Sequence, residues 1–81
     1  MNSEFGIKIL IFGQLTDIIE SGELIVEGIK NTNNLNKHLS ERYPELLLSK
    51  YSMAVNKIII QENTLLNDGD VVALLPPFSG G

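Results

Sequence analysis

The residues best placed to do chemistry in this sequence lie together at 76–81, where Pro76-Pro77-Phe78-Ser79-Gly80-Gly81 ends on a free carboxylate. An α-carboxylate with a pKa of about 3.3–3.7 is ionised at neutral pH and is a poor electrophile, so its acyl carbon reacts only after activation from outside. Gly80 and Gly81 lack Cβ atoms, which makes them the narrowest lead a backbone offers. Pro76 and Pro77 donate no ladder hydrogen bond, fix their own φ and push the preceding residue toward extended geometry, so they form a stiff neck. Six residues from Pro76 onward span about 20 Å at ~3.3–3.6 Å per residue. The pattern predicts a slender carboxylated tip that enters another protein's active site. The alternative is an inert, frayed end. Phe78 is the one bulky residue of this segment, read as an anchor at a pocket mouth or as an aromatic folded back on its own domain.

The side chains elsewhere supply no competing chemistry. There is no cysteine, which removes disulfides, thiolate metal sites and a cysteine nucleophile. Any sulfur carried here would ride on something other than a thiol side chain, and the terminal carboxylate is the candidate. His38 is the sole histidine and falls on a helical pattern with no nucleophile or ligand cluster around it. Asp68 and Asp70 flank Gly69 without the further oxygen ligands of a calcium loop, and read as turn residues. No glycine-rich loop leads to Lys-Ser or Lys-Thr, so no nucleotide site is expected. Glu20, Glu23 and Glu27 spread over a turn and a strand without forming an acid/base pair. The domain itself is read as non-catalytic, binding no cofactor and no metal.

Composition narrows the partners. The chain has 81 residues, 43% hydrophobic and 20% charged, enough for one small core and no more. Its net charge of −4 and six scattered basic residues argue against nucleic acid, which requires clustered Lys and Arg, and favour basic docking surfaces. No apolar run approaches the ~20 residues of a membrane span, and no basic stretch precedes an apolar leader. The cytoplasm is the expected compartment.

The elements that must position the tip follow from periodicity. Residues 1–5 read as a loose lead-in. Ile7-Lys8-Ile9-Leu10-Ile11-Phe12 reads as a β-branched first strand broken by Gly13. Leu15, Ile18 and Ile19 suggest a helical turn over 14–20, Ser21-Gly22 a turn, and Glu23-Leu24-Ile25-Val26-Glu27 a second strand ended by Gly28. Asn31-Thr32-Asn33-Asn34 offers N-caps before a helix whose Leu35, Leu39 and Tyr43 share a stripe, with Pro44 ending it. Leu46-Leu47-Leu48 reads as one packed turn. Strands over 51–56 and 57–61 meet at Asn56-Lys57, and Leu65 and Leu66 are expected to plug the core edge. Asn67-Asp68-Gly69 turns the chain into a last strand, Val71-Val72-Ala73-Leu74-Leu75.

Hairpin, helix, hairpin and final strand make an α+β, β-grasp (ubiquitin-like) arrangement. It is a mixed four- to five-stranded sheet with one main helix packed on one face and the last strand parallel to the first. Residues 1–75 form the domain and residues 76–81 the protruding tail. One helix covers only one face of a sheet. Because Leu10 and Phe12 oppose the isoleucines of the first strand, and both parities of the last strand are apolar, the second face is expected to expose an apolar patch at the root of the tail. Leu10, Phe12, Val72 and Leu74 are the candidates for that partner surface, unless the segment after Pro44 and Leu65-Leu66 fold over it.

The run Asp68-Gly69-Asp70-Val71-Val72-Ala73-Leu74-Leu75-Pro76-Pro77-Phe78-Ser79-Gly80-Gly81 resembles the C-terminal signature of molybdopterin synthase small subunits. These are the MoaD-type members of the ubiquitin-like MoaD/ThiS sulfur carriers, and over the rest of the chain the likeness is one of pattern. The resemblance implies a heterotetrameric synthase in which this chain is the carrier subunit of a sulfurtransferase. A ubiquitin-activating-like adenylyltransferase would use ATP to adenylate Gly81, and a sulfur donor enzyme would convert it to a thiocarboxylate. The molybdopterin synthase large subunit would then receive the tail and pass the sulfur to cyclic pyranopterin monophosphate, building the dithiolene of the molybdenum cofactor. In that scheme Gly80 permits passage while Ser79, Phe78, Pro77 and Pro76 position the tip. A thiamine-pathway carrier, a transfer-RNA thiolation carrier, a ubiquitin-like protein modifier and a binding module with an inert tail are the other readings.

Overall fold

Strand β1 (Gly6–Ile11) buries Ile7, Ile9 and Ile11 and turns Lys8 to solvent, the period-two signature of a strand with one covered face. The computed structural model describes residues 6–77. The readings that fall on residues 1–5 and on Phe78, Ser79, Gly80 and Gly81 lie outside them.

Helix α1 (Leu15–Ile19) is short and is held by Leu15 and Ile19, both buried. Strand β2 (Glu23–Glu27) returns antiparallel to β1 with Val26 opposite Ile7 and Leu24 opposite Ile9. Helix α2 (Thr32–Arg42) starts as the N-cap pattern requires, with the Asn34 backbone N–H donating to Asn31 Oδ1 at 2.8 Å. The segment before the last strand clamps the same end. Asn33 N–H donates to Asn63 Oδ1 at 2.9 Å, and Thr64 N–H donates to the buried Thr32 Oγ1 at 2.9 Å. Leu35 and Leu39 have no exposed surface, while Tyr43 caps the helix and Pro44 opens a single 3-10 turn (Pro44–Leu48).

Strands β3 (Ser52–Val55) and β4 (Ile58–Ile60) form a hairpin through Asn56 and Lys57, whose φ values of 50° and 75° are the positive pair that a two-residue primed turn needs. Asn56 also ties that turn to β5 (Val71–Leu75), accepting from Val71 N–H at 3.0 Å and donating from Nδ2 to Asp70 Oδ1 at 3.0 Å. The sheet order is β2-β1-β5-β3-β4, with β5 central, parallel to β1 and antiparallel to β3. This is the β-grasp arrangement expected from the element order, with five strands. The core lies between the sheet and α2, joined by α1 and the 3-10 turn. Among the described residues no helix is long and apolar enough to cross a membrane.

Two expectations are corrected. Val72 and Leu74 were placed on the partner face, yet both have no exposed surface. The ladder sets Val72 opposite Ile9 and Leu74 opposite Ile11, so both side chains point at α2. Of Leu65 and Leu66 only Leu66 plugs the core; Leu65 is 76% exposed because it forms an isolated bridge to Asn31 at the surface. The leucine triplet forms the expected packed turn through Leu46 alone, since a 3-10 turn cannot aim three consecutive side chains at one neighbour.

Candidate functional site

With the odd residues of β1 and the even residues of β5 in the core, the remaining side chains of those strands share the open face. Leu10 pairs with Ala73, Ala73 with Ala54, and Ala54 with Ile59, so one apolar row crosses four strands. A second row at the tail end pairs Leu75 with Ser52, and the Phe12 N–H reaches Leu74 C=O at 3.3 Å, which places Phe12 alongside. Phe12 keeps 45% of its surface exposed and Ile59 keeps 55%. Toward β2 the face becomes charged. Lys8 lies opposite Ile25 and Leu10 opposite Glu23, and Lys8 Nζ sits 3.8 Å from Glu23 Oε2. Both partners are about half exposed, so the pair contributes little to stability and marks a polar rim.

Neither the 3-10 turn nor Leu65-Leu66 covers this face. The 3-10 turn packs on α2 and α1, and the 62–66 segment is bonded to the start of α2. Leu10 and Phe12 therefore sit where the sequence placed them. Ala73 and Leu75 take the positions assigned to Val72 and Leu74, with the exposed Ile59 and Ile25 as additions and the buried Ala54 as the floor between Ala73 and Ile59. Lys8 was the available signal: a charged residue in a run of isoleucines marks the outward parity, and its neighbours two residues on share it.

Past the end of β5, Pro76 lies against Gly13. Pro76 is half-buried and Pro77 exposed. Gly13 stands at φ +60°, and a β-carbon there would lie 2.8 Å from Pro76 Cγ, 3.6 Å from Cδ and 3.7 Å from Cβ. The Gly13 carbonyl accepts from Thr16 N–H at 3.1 Å and from Thr16 Oγ1 at 2.8 Å, so the glycine is fixed from behind by α1.

Side-chain chemistry is sparse. Two hollows of ≈ 400 Å³ and ≈ 370 Å³ flank α2, the first lined by Asn36, Tyr51 and Gln61 among others, the second by His38 and Arg42. The first also holds the hydroxyls of Ser40, Ser49 and Ser52 and the carboxylate of Glu62, but no hydrogen bond among the described residues joins any of these hydroxyls to that carboxylate. His38 is exposed, and among the described residues no group of three or more His, Cys, Asp or Glu is placed to hold a metal ion. Tyr51 donates to Asn36 Oδ1, and burial pushes its phenol above the usual tyrosine value. What the arrangement offers is an uncovered apolar face and, at one end of it, Pro76 and Pro77, which lead into residues 78–81.

The ThiS family model matches residues 9–81. The chain belongs to the ThiS family. A molybdopterin synthase sulfur carrier subunit from Mycobacterium tuberculosis is 32% identical over 80 residues, covering 93% of this chain and 96% of that protein. Subunit 1 in the complex of subunits 1 and 2 of the molybdopterin-converting factor from Helicobacter pylori superposes with a TM-score of 0.72 at 29% identity. That match covers 94% of this ThiS-family chain and 99% of the other. The small archaeal modifier protein 1 from Methanosarcina acetivorans reaches a TM-score of 0.79 over 99% of this chain and all of its own. At 24% identity that likeness shows the shared fold.

Proposed function

We propose that this chain is the sulfur-carrier subunit of a molybdopterin synthase, with the carboxylate of Gly81 as the group that is charged. The observation that carries the proposal is the joint one: an uncovered apolar face that ends where Pro76 and Pro77 lead into Phe78-Ser79-Gly80-Gly81. The 32% identical carrier subunit from M. tuberculosis and the two-subunit complex from H. pylori support it.

In the proposed cycle a ubiquitin-activating-like adenylyltransferase docks on the open face. The Gly81 carboxylate attacks the α-phosphorus of ATP, forming an acyl adenylate and releasing pyrophosphate. Sulfide sulfur from the donor enzyme then forms a C–S bond as the C–O bond to AMP breaks, leaving a thiocarboxylate. The same face next docks on the large subunit, where the tail enters the pocket. The thiocarboxylate sulfur bonds to a carbon of cyclic pyranopterin monophosphate, and water then cleaves the acyl C–S bond and returns Gly81 as a carboxylate. A second charged chain supplies the other sulfur. This chain supplies the cargo atom, a narrow lead at Gly80 and a stiff neck at Pro76 and Pro77; Ser79 and Phe78 position the tip. Side chains that move protons lie on the partners, in keeping with the bare chemistry of the domain. The setting that fits this cycle is the cytoplasm.

Supplying the thiocarboxylated chain to the large subunit with cyclic pyranopterin monophosphate tests the reading. Dithiolene formation is the expected result. Transfer instead to a thiamine precursor or a transfer RNA moves the chain to another carrier branch. Recovery of Gly81 in isopeptide linkage to target lysines makes it a protein modifier, the reading that the archaeal modifier fold favours.

A further inference from the structure

We propose that Gly13 is the seat on which Pro76 rests, and that this seat sets the direction in which the tail leaves the sheet. The inference rests on the carrier reading and adds a positioning residue to it.

Gly13 and Pro76 are brought together by the parallel pairing of β1 with β5, continued past Ile11 by the hydrogen bond from Phe12 N–H to Leu74 C=O. The contact leaves no room for a side chain, because a β-carbon 2.8 Å from Pro76 Cγ is far inside van der Waals distance. A flexible neighbour would swing away, but the proline ring is closed on its own backbone and yields only by a change of pucker, so the chain at Pro76 takes up the rest of the clash. Gly13 cannot yield easily. Its carbonyl is held twice by Thr16, and α1 is fixed by the wholly buried Leu15.

Small errors at this point grow along the tail. The five residues beyond Pro76 reach about 17 Å when extended, so a tilt of about 10° at the root carries the tip about 3 Å. A displacement of about 1 Å in a reacting atom is enough to cost on the order of a hundredfold in rate. The seat therefore acts at the root of the tail, on Pro76.

Gly28 provides the control. It too has positive φ, +80°, but nothing lies within 4 Å of the position of its β-carbon. Gly13→Ala and Gly28→Ala thus share the backbone strain of a left-handed alanine, and only the first displaces Pro76. The tests use full-length, isotope-labelled chain and its thiocarboxylated form with the large subunit. We expect Gly13→Ala to shift the amide resonances of Phe78 and Ser79 and to lower kcat/KM for sulfur transfer at least about tenfold. Gly28→Ala leaves those resonances in place and kcat/KM within about twofold of the parent, at a comparable loss of thermal stability. Adding Pro76→Ala to Gly13→Ala removes Cγ and Cδ from the clash and restores part of the rate.

Unshifted tail resonances and an unchanged kcat/KM in Gly13→Ala overturn the seat while leaving the carrier reading intact. Equal losses in the Gly13 and Gly28 variants overturn it as well. Shifted resonances in a parent chain that transfers no sulfur to the pterin retain the seat and refute the carrier reading. Should Gly13→Ala fail to fold, Pro76→Ala alone decides, since it empties the seat and must move the same two resonances.

Discussion

On the helix side of the sheet Ile7, Ile9, Val72 and Leu74 have no exposed surface, whereas on the opposite side Ile25, Ile59 and Phe12 keep about half of theirs. The residue types hardly differ. What differs is the cover: α2, α1 and the 3-10 turn all pack on one side, and 11 helical residues in α2 are enough for a single face. Burial at roughly 25 cal/mol per Å² makes the covered face the source of stability, while the uncovered one leaves that gain unrealised, and the proposed carrier role assigns it to a partner. Val72 and Ala73 are neighbours in sequence on opposite faces, one buried against the helix side and one on the open side.

Substitutions on the two faces should therefore separate stability from association. Leu74→Ala, in the covered face, is expected to cost about 2–5 kcal/mol in denaturant unfolding, because a fully buried leucine leaves a cavity. Equal stability of that variant would break the contrast. Ala73→Glu places a charge in the middle of the row from Leu10 to Ile59. Affinity for the large subunit, followed by calorimetry, should fall by at least about tenfold, or ~1.4 kcal/mol, while unfolding shifts by less than about 1 kcal/mol.

Asn31→Ala removes the cap of the covering helix and should lower stability by about 1 kcal/mol without changing that affinity. The smallest effect concerns pH. Tyr51, on the helix side, has its phenol raised by burial, so the folded chain holds that proton above pH 10, where the unfolded chain releases it. Stability is complete below pH 10 and declines as pH climbs through the raised folded value. Tyr51→Phe should flatten that decline in thermal melts across the alkaline range.

The sequence carried the order of elements and the parity of β1, because Lys8 interrupts the isoleucines and Asn31 announces α2. It did not carry the parity of β5. Five apolar residues in a row fit either face, and only the pairing of Val72 with Ile9 and of Ala73 with Leu10 decides. Leu65 and Leu66 were ambiguous for a like reason, their fates separated by a bridge to Asn31. The Gly13 seat was invisible to any local pattern, since its partner lies at the far end of the chain and meets it through the sheet. Residues 76–81 carried their meaning in residue type alone: rigid, then aromatic, then without side chains.

The most direct test of the account is the intact mass of the chain ending at Gly81 after incubation with the activating enzyme, ATP and a sulfur donor. A gain of about 16 Da, one oxygen exchanged for sulfur, is expected, together with its loss when Gly81 is deleted or one residue is appended. No gain, or a gain that survives the appended residue, would contradict the account.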